Sequence, residues 1–200
     1  MRSNPFLPLA LAVLFLTSSG LAHSQVEASA SRDTSPFSIG AGASYFNVDW
    51  RHNGMYATTF WADWHPARIP SALRGLGGEL EGRDINYDRP STVPSNFRQD
   101  TLLGGPIYTL PRFGNFRPYV KALFGFGSFD FRFSYNPKYA HDTRSLGEYG
   151  GGFDYRAWHH VFVRTEYGYQ DWESLFQGHN RNPRGFSLGV LYDFGVFRRR

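Results

Sequence analysis

Charged residues two apart supply the chain's first candidates for chemistry: Glu79, Glu81 and Arg83 in one run, Arg164 and Glu166 in another. Lys121, Asp154 and Asp193 stand as single charges among small or apolar neighbours. Side chains two apart on an extended strand project from the same side, so these residues can gather with charges from neighbouring strands. What such a cluster does depends on water: hydrated, it lines a channel, and dry, its members must pair. Nucleophile chemistry has thinner support. His141 and His179 are expected in loops, the latter near Glu173 and Ser174, and a His with a Ser and an acid could activate a nucleophile for acyl transfer. No recognisable motif joins them, and a loop histidine is ordinarily solvated. His159-His160 falls in a tight turn, where adjacent side chains diverge and a metal would need a third ligand. Gly150-Gly151-Gly152 is no phosphate loop, because no helical pattern follows it. No catalytic residue, metal ligand or cofactor is assigned.

The elements that must position the charges alternate with a period of two. In the run from Gly185 to Phe194, Phe186, Leu188, Val190, Tyr192 and Phe194 point one way, and Ser187, Gly189, Leu191 and Asp193 the other. About ten residues is the length a tilted strand needs to cross a bilayer. Val161, Val163, Thr165, Tyr167 and Tyr169 likewise oppose Phe162, Arg164, Glu166 and Gly168. Val120, Ala122, Phe124 and Phe126 oppose Lys121, Gly125 and Gly127, and Glu79, Glu81 and Arg83 oppose Gly78, Leu80 and Gly82. Eight such segments are predicted, at residues 37–50, 58–65, 76–87, 100–110, 117–131, 146–155, 161–172 and 185–197. Tight turns after even strands and longer loops after most odd ones give the plan of an eight-stranded antiparallel up-and-down transmembrane β-barrel, with both termini in the periplasm.

Composition agrees. With 41% hydrophobic and 18% aromatic residues, 22 Gly and no Cys, the chain reads as an ordered all-β domain without disulfides or thiolate metal sites. The net charge of +4 is scattered among acids, which argues against a nucleic-acid stripe. An apolar run from Phe6 to Leu16 ahead of Ala22-His23-Ser24 predicts a signal peptide over residues 1–24, too short to span a membrane as a helix. Residues 25–36 are expected to form a flexible leader, 37–197 the barrel, and 198–200 a basic tail.

A soluble lipocalin-like ligand binder also has eight alternating strands, but it keeps apolar side chains inside. Single charges flanked by glycines suit a narrow interior, so Val120, Phe124, Val163, Leu188 and Val190 are expected to face lipid and the charges the lumen. Trp50, Tyr87, Tyr169 and Trp172 at the loop ends, with Trp64, Tyr155, Trp158 and Phe194 at the turn ends, are expected to form two interfacial girdles. Counting residues up from the turns places Glu79, Lys121 and Arg164 at similar depth, flanked by Asp154 and Asp193.

The run Gly150-Gly151-Gly152-Phe153-Asp154-Tyr155, the turn from Arg156, and Val163-Arg164-Thr165-Glu166-Tyr167-Gly168-Tyr169 resemble the sixth and seventh strands of small OmpA-like outer-membrane barrels. The resemblance implies residence in the bacterial outer membrane after export and insertion by the barrel-assembly machinery. No peptidoglycan-binding domain is expected after the barrel, and Phe194 and Phe197 both qualify as the terminal insertion signal. The expected function is a structural or surface-interaction (adhesion-like) barrel with a side-chain-filled lumen. A narrow pore for small solutes comes second, and a lipid A modifying barrel enzyme third. Expected partners are outer-membrane lipids and an unidentified extracellular ligand at the long loops, with no nucleic acid, and the barrel is expected to be a monomer.

Overall fold

The computed structural model describes residues 36–47, 54–66, 70, 73–87, 97–131, 141–173 and 182–194. Its strands are β1 (Phe37–Asn47), β2 (Gly54–Trp64), β3 (Leu76–Tyr87), β4 (Phe97–Thr109), β5 (Phe116–Phe131), β6 (His141–Arg156), β7 (Val161–Trp172) and β8 (Arg184–Asp193). Each pairs antiparallel with its sequence neighbour, and β1 with β8, so the sheet closes into a barrel without a free edge. Among the described residues no helix is long and apolar enough to cross a membrane.

The alternation sorts the chain the way a membrane barrel requires. Leu188 is 59% exposed on the outer face while its neighbour Ser187 is 2% exposed inside. The same inversion, apolar outside and polar inside, runs along β3, β5 and β7, and it excludes the soluble lipocalin-like arrangement. Three buried apolar groups share the interior with the charges: Phe46, Met55, Ala57 and Ile85; Leu103, Leu123, Phe129, Leu146 and Trp172; and Trp61, Phe162 and Leu191.

Several boundaries differ from the sequence expectation. β2 starts at Gly54 instead of Thr58, because Met55 and Ala57 continue the inward side of Thr59 and Trp61 and pack on Phe46. β4 starts at Phe97, where it pairs with both Tyr87 and Phe131. β6 starts at His141, in register with Asp130, so His141 lies on a strand and not in a loop. The extra turn of ladder is polar on both sides, which hides it from a hydrophobic pattern. Residues 1–35, 48–53, 67–69, 71–72, 88–96, 132–140, 174–181 and 195–200 lie outside the described residues, and with them the predicted signal peptide, most of the leader, the basic tail, Trp50, Ser174, His179 and Phe197.

Two turns depend on glycine. Gly75 has φ 102° and Gly114 φ 59°, both in the left-handed region, where a Cβ costs about 1–2 kcal/mol. A Cβ on Gly75 would also run into the carbonyl oxygen of Thr109, whose N–H donates to Gly75 O at 2.8 Å; one on Gly114 would meet open space. Gly75→Ala is therefore expected to lower the urea unfolding midpoint more than Gly114→Ala. Equal losses would show that the backbone conformation alone sets the cost.

Candidate functional site

Most of the barrel's interior polar residues form one connected network. Nearest the turn end, the Arg164 guanidinium on β7 reaches across the lumen: Nη2 donates to Asp63 Oδ2 at 2.6 Å, Nη1 to Glu79 Oε2 at 2.9 Å and Nε to Asp154 Oδ1 at 2.8 Å. Arg117 donates to the other Asp154 oxygen at 2.9 Å and stands 4.0 Å from Asp193. Both guanidinium groups lie on aromatic rings, Arg164 over Tyr119 and Arg117 over Phe162, at 4.5 and 4.6 Å.

One step toward the loop end, the Lys121 ammonium is held by three carboxylates. Its Nζ is 2.7 Å from Glu79, 2.5 Å from Glu81 and 2.7 Å from Glu166, and Tyr119 OH donates to Glu166 at 2.8 Å. Oxygens of the three glutamates lie within 4.8 Å of one another, a spacing a hard divalent cation would accept. The Lys121 ammonium lies against all three and supplies the positive charge such an ion would bring.

Above Lys121, Arg83 makes a two-toothed contact with Glu148 at 2.8 and 3.2 Å and stands 2.5 Å from Glu81. Its Nε donates to Thr59 at 3.2 Å, and Thr59, Ser44 and Ser187 continue a hydroxyl chain at 2.5 and 2.7 Å. Gln170 donates to Glu148 at 2.8 Å and accepts from Trp172 Nε1 at 3.0 Å and from Gln99 at 3.2 Å. The Phe46 ring covers the Arg83 guanidinium at 4.0 Å. Ions this dry remain charged only through close pairing and hydrogen bonds, and this network supplies both.

All eight charges named from the sequence, Glu79, Glu81, Arg83, Lys121, Asp154, Arg164, Glu166 and Asp193, lie in this interior. Glu79 joins Lys121 to Arg164, as the common depth of the three requires. Sequence reasoning missed Asp63, Arg117, Glu148, Tyr119, Gln99 and Gln170. Asp63 shares a side with Thr59 and Trp61, and Arg117 with Tyr119 and Lys121, so carrying the period of two to the strand ends would have found them. Val120, Phe124, Leu188 and Val190 are exposed on the outer face and Val163 is half-buried there. Trp64, Tyr155, Trp158 and Phe194 are exposed toward the turn end and Tyr169 is half-buried on the outer face, while nothing is described of the Tyr87 side chain. Trp172 is a correction. Expected in the outer girdle, it is 1% exposed inside the lumen, because it falls on the even-numbered side of β7 with Arg164 and Glu166 and packs on Phe129 at 4.4 Å.

Of the nucleophile candidates, only His141 and Glu173 are among the described residues, and they do not meet. Glu173 accepts from Ser145 at 2.6 Å, and His141 faces Thr143 at 3.4 Å. His141 and Ser145 are four residues apart on one strand, which separates them by about 13 Å. Among the described residues no Ser, His and acid meet.

At the turn end, burial pushes the His65 imidazole below 6.5, against the pull of the nearby Asp63 carboxylate. The native barrel thus favours neutral His65, while the unfolded chain takes up a proton as pH falls through about 6.5. His65 therefore contributes stability that is complete above pH 6.5 and is lost below it. His65→Gln is expected to flatten the pH dependence of the unfolding midpoint just below pH 6.5; an unchanged profile would show that His65 is freely hydrated.

Solved structures share the fold. Neisserial surface protein A is 14% identical, over 80% of this chain and 98% of that one, with a TM-score of 0.65. The Yersinia pestis outer membrane protein Ail in a phospholipid bilayer nanodisc is 15% identical over 80% and 99%, with a TM-score of 0.51. The outer membrane enzyme PagL is 12% identical over 78% and 98%, with a TM-score of 0.52. No curated protein sequence matches the chain. The model of the outer membrane protein beta-barrel domain matches residues 10–194, so that closed wall, apolar outside and ion-paired inside, belongs to a member of this bacterial outer-membrane family.

Proposed function

We propose that the protein is a non-conducting outer-membrane barrel that serves as a rigid platform for its outer loops, a structural or surface-interaction role. The observation that carries this reading is the filled lumen: charges paired at 2.5–2.9 Å lie between the Phe46 and Trp172 groups on one side and the Trp61, Phe162 and Leu191 group on the other. An eight-stranded barrel is just wide enough for side chains to fill it. An ion crossing would have to break the pairs and pass apolar constrictions. The turns that follow β2, β4 and β6 face the periplasm in this reading, and the loops face outward to an extracellular ligand. Val120, Phe124, Val163, Leu188 and Val190 meet acyl chains, the barrel-assembly machinery inserts the chain after its signal peptide is cleaved, and the barrel works as a monomer.

Single-channel recording on the purified protein tests the filled lumen. No steady conductance is expected, and a large, stable one would promote the pore. The family fold also houses an enzyme, PagL, so lipid A from expressing and deleted cells is the second measurement. Identical mass spectra are expected, since among the described residues the Ser145–Glu173 pair has no histidine hydrogen-bonded to it; a mass shift that depends on Ser145 would overturn the platform reading.

A further inference from the structure

A shallow groove of about 800 Å³ crosses the outer wall where β5, β6 and β7 lie side by side. The ladder sets its parts next to one another: Phe124 faces Gly147, Gly147 faces Asp171, and one step toward the loop end Phe126 faces Ser145. Ser145 in turn donates to Glu173 at 2.6 Å. β6 forms the floor, because Gly147 has no side chain and Ser145 a small one. Phe124 and Phe126, 56% and 67% exposed, stand on one side, and the carboxylates of Asp171 and Glu173 on the other. Tyr149 bounds the groove toward the turn end, with its hydroxyl 3.6 Å from where a Cβ on Gly147 would stand. Among the described residues no cationic side chain lines it. A strand rises about 3.3 Å per residue and a barrel strand tilts by about 40°, so each residue adds about 2.5 Å of height. Asp171 is residue eleven of β7 and Phe126 residue eleven of β5, which puts both about 25 Å above the turns, at the top of the apolar band.

A carboxylate level with a ring that faces hydrocarbon calls for a cation, and the lining supplies none. The occupant that suits the groove brings an apolar tail and a positive charge together. We propose that the groove binds a lipid of the loop-end leaflet whose headgroup carries a primary ammonium. One acyl chain lies over Gly147 against Phe124 and Phe126, and the ammonium donates to Asp171 and Glu173. The proposal rests on the lipid-facing outer wall of the reading above. A divalent cation alone would satisfy the acids and leave the trough over Gly147 unfilled. A trimethylammonium headgroup has the charge but no N–H to donate, so the primary ammonium fits better.

The test uses the full chain in bilayers of equal phosphatidylethanolamine, phosphatidylcholine and phosphatidylglycerol, with the lipids retained on the released barrel counted by native mass spectrometry. The parent is expected to retain phosphatidylethanolamine over each of the other two on the order of five-fold, the effect of one charge-assisted hydrogen bond. Asp171→Asn should bring that ratio close to one. Gly147→Leu, which fills the trough and leaves both acids in place, should lower it as well. Asp130→Asn, on the outer wall but outside the groove, should leave it unchanged. Asp171 is exposed, so Asp171→Asn decides the matter even where Gly147→Leu does not insert. A parent without preference, a preference untouched in inserted Gly147→Leu, or one that survives the double Asp171→Asn/Glu173→Gln variant overturns the proposal. So does retention that needs added Mg²⁺ and disappears with a chelator, which would make the groove a divalent-cation bridge. Flotation with the vesicles separates the groove from the reading beneath it. A parent that fails to float overturns the lipid-facing wall and the groove with it, whereas one that floats without the preference overturns the groove alone.

Discussion

Arg164→Ala is expected to destabilise the barrel by about 3–5 kcal/mol, a large share of what usually separates a folded domain from its unfolded chain. The size follows from what the substitution leaves behind. Arg164 reaches Asp63, Glu79 and Asp154, so its removal strands carboxylates that are at most 3% exposed. Arg117 still holds one oxygen of Asp154, and Lys121 one of Glu79, but Asp63 forms no ion pair with a second cation among the described residues. Lys121→Ala should cost a similar amount, because Glu79, Glu81 and Glu166 would face one another without the ammonium between them. Arg98→Ala is the internal control: its side chain is 56% exposed on the outer wall, its partners Asp84 and Asp100 are also open to solvent, and such pairs contribute about 0–1 kcal/mol. Arg164→Lys keeps the charge but loses the fork that serves several acids at once, so it should recover only part of the loss. Unfolding in urea from lipid vesicles measures all four. If Arg164→Ala and Arg98→Ala shift the midpoint equally, the lumen is wet and the filled-barrel reading is wrong.

The parity of the interior was legible in sequence wherever charge and apolar side chains alternate cleanly. Glu79, Glu81 and Arg83 in β3, and Arg164 and Glu166 in β7, are surrounded by small or apolar residues on the opposite side, which leaves one reading of each strand. At the strand ends both sides become polar and the signal fades, so the first residues of β6, from His141, read as loop. Trp172 shows the opposite error: the usual place of tryptophan at an interface outweighed its even-numbered position, although the position is what fixes the side. Pairings across the lumen were not legible. Arg83 and Glu148 are 65 residues apart, and their meeting depends on how β3 and β6 are staggered around the barrel, which no single strand specifies. Depth was partly legible, because residues counted from tight turns share a common origin; Glu79, Lys121 and Arg164 are close in space for that reason.

The outer face gives the second large effect. Leu188→Arg is expected to cost about 2–4 kcal/mol, because a cation near mid-membrane must be solvated by thinned lipid or water drawn inward. Leu188 sits midway along β8, paired with Ala43 on one side and Thr165 on the other, so the arginine cannot reach either interface without distortion. Phe186→Arg and Tyr192→Arg lie nearer the two ends of the same outward row and should cost less, about 0–1 kcal/mol beyond the lost ring contacts. Ser187→Arg points into the lumen, where Ser187 accepts from Ser44 at 2.7 Å, and it should cost about 1–3 kcal/mol by overpacking. Bilayer thickness separates the two causes. Short-chain lipid should relieve Leu188→Arg, since the new charge then lies closer to water, and should leave Ser187→Arg as it was. Should Leu188→Arg insert into thick and thin bilayers as readily as the parent, the row of Leu188, Val190 and Phe186 does not meet hydrocarbon and the barrel is not held in the membrane by this face.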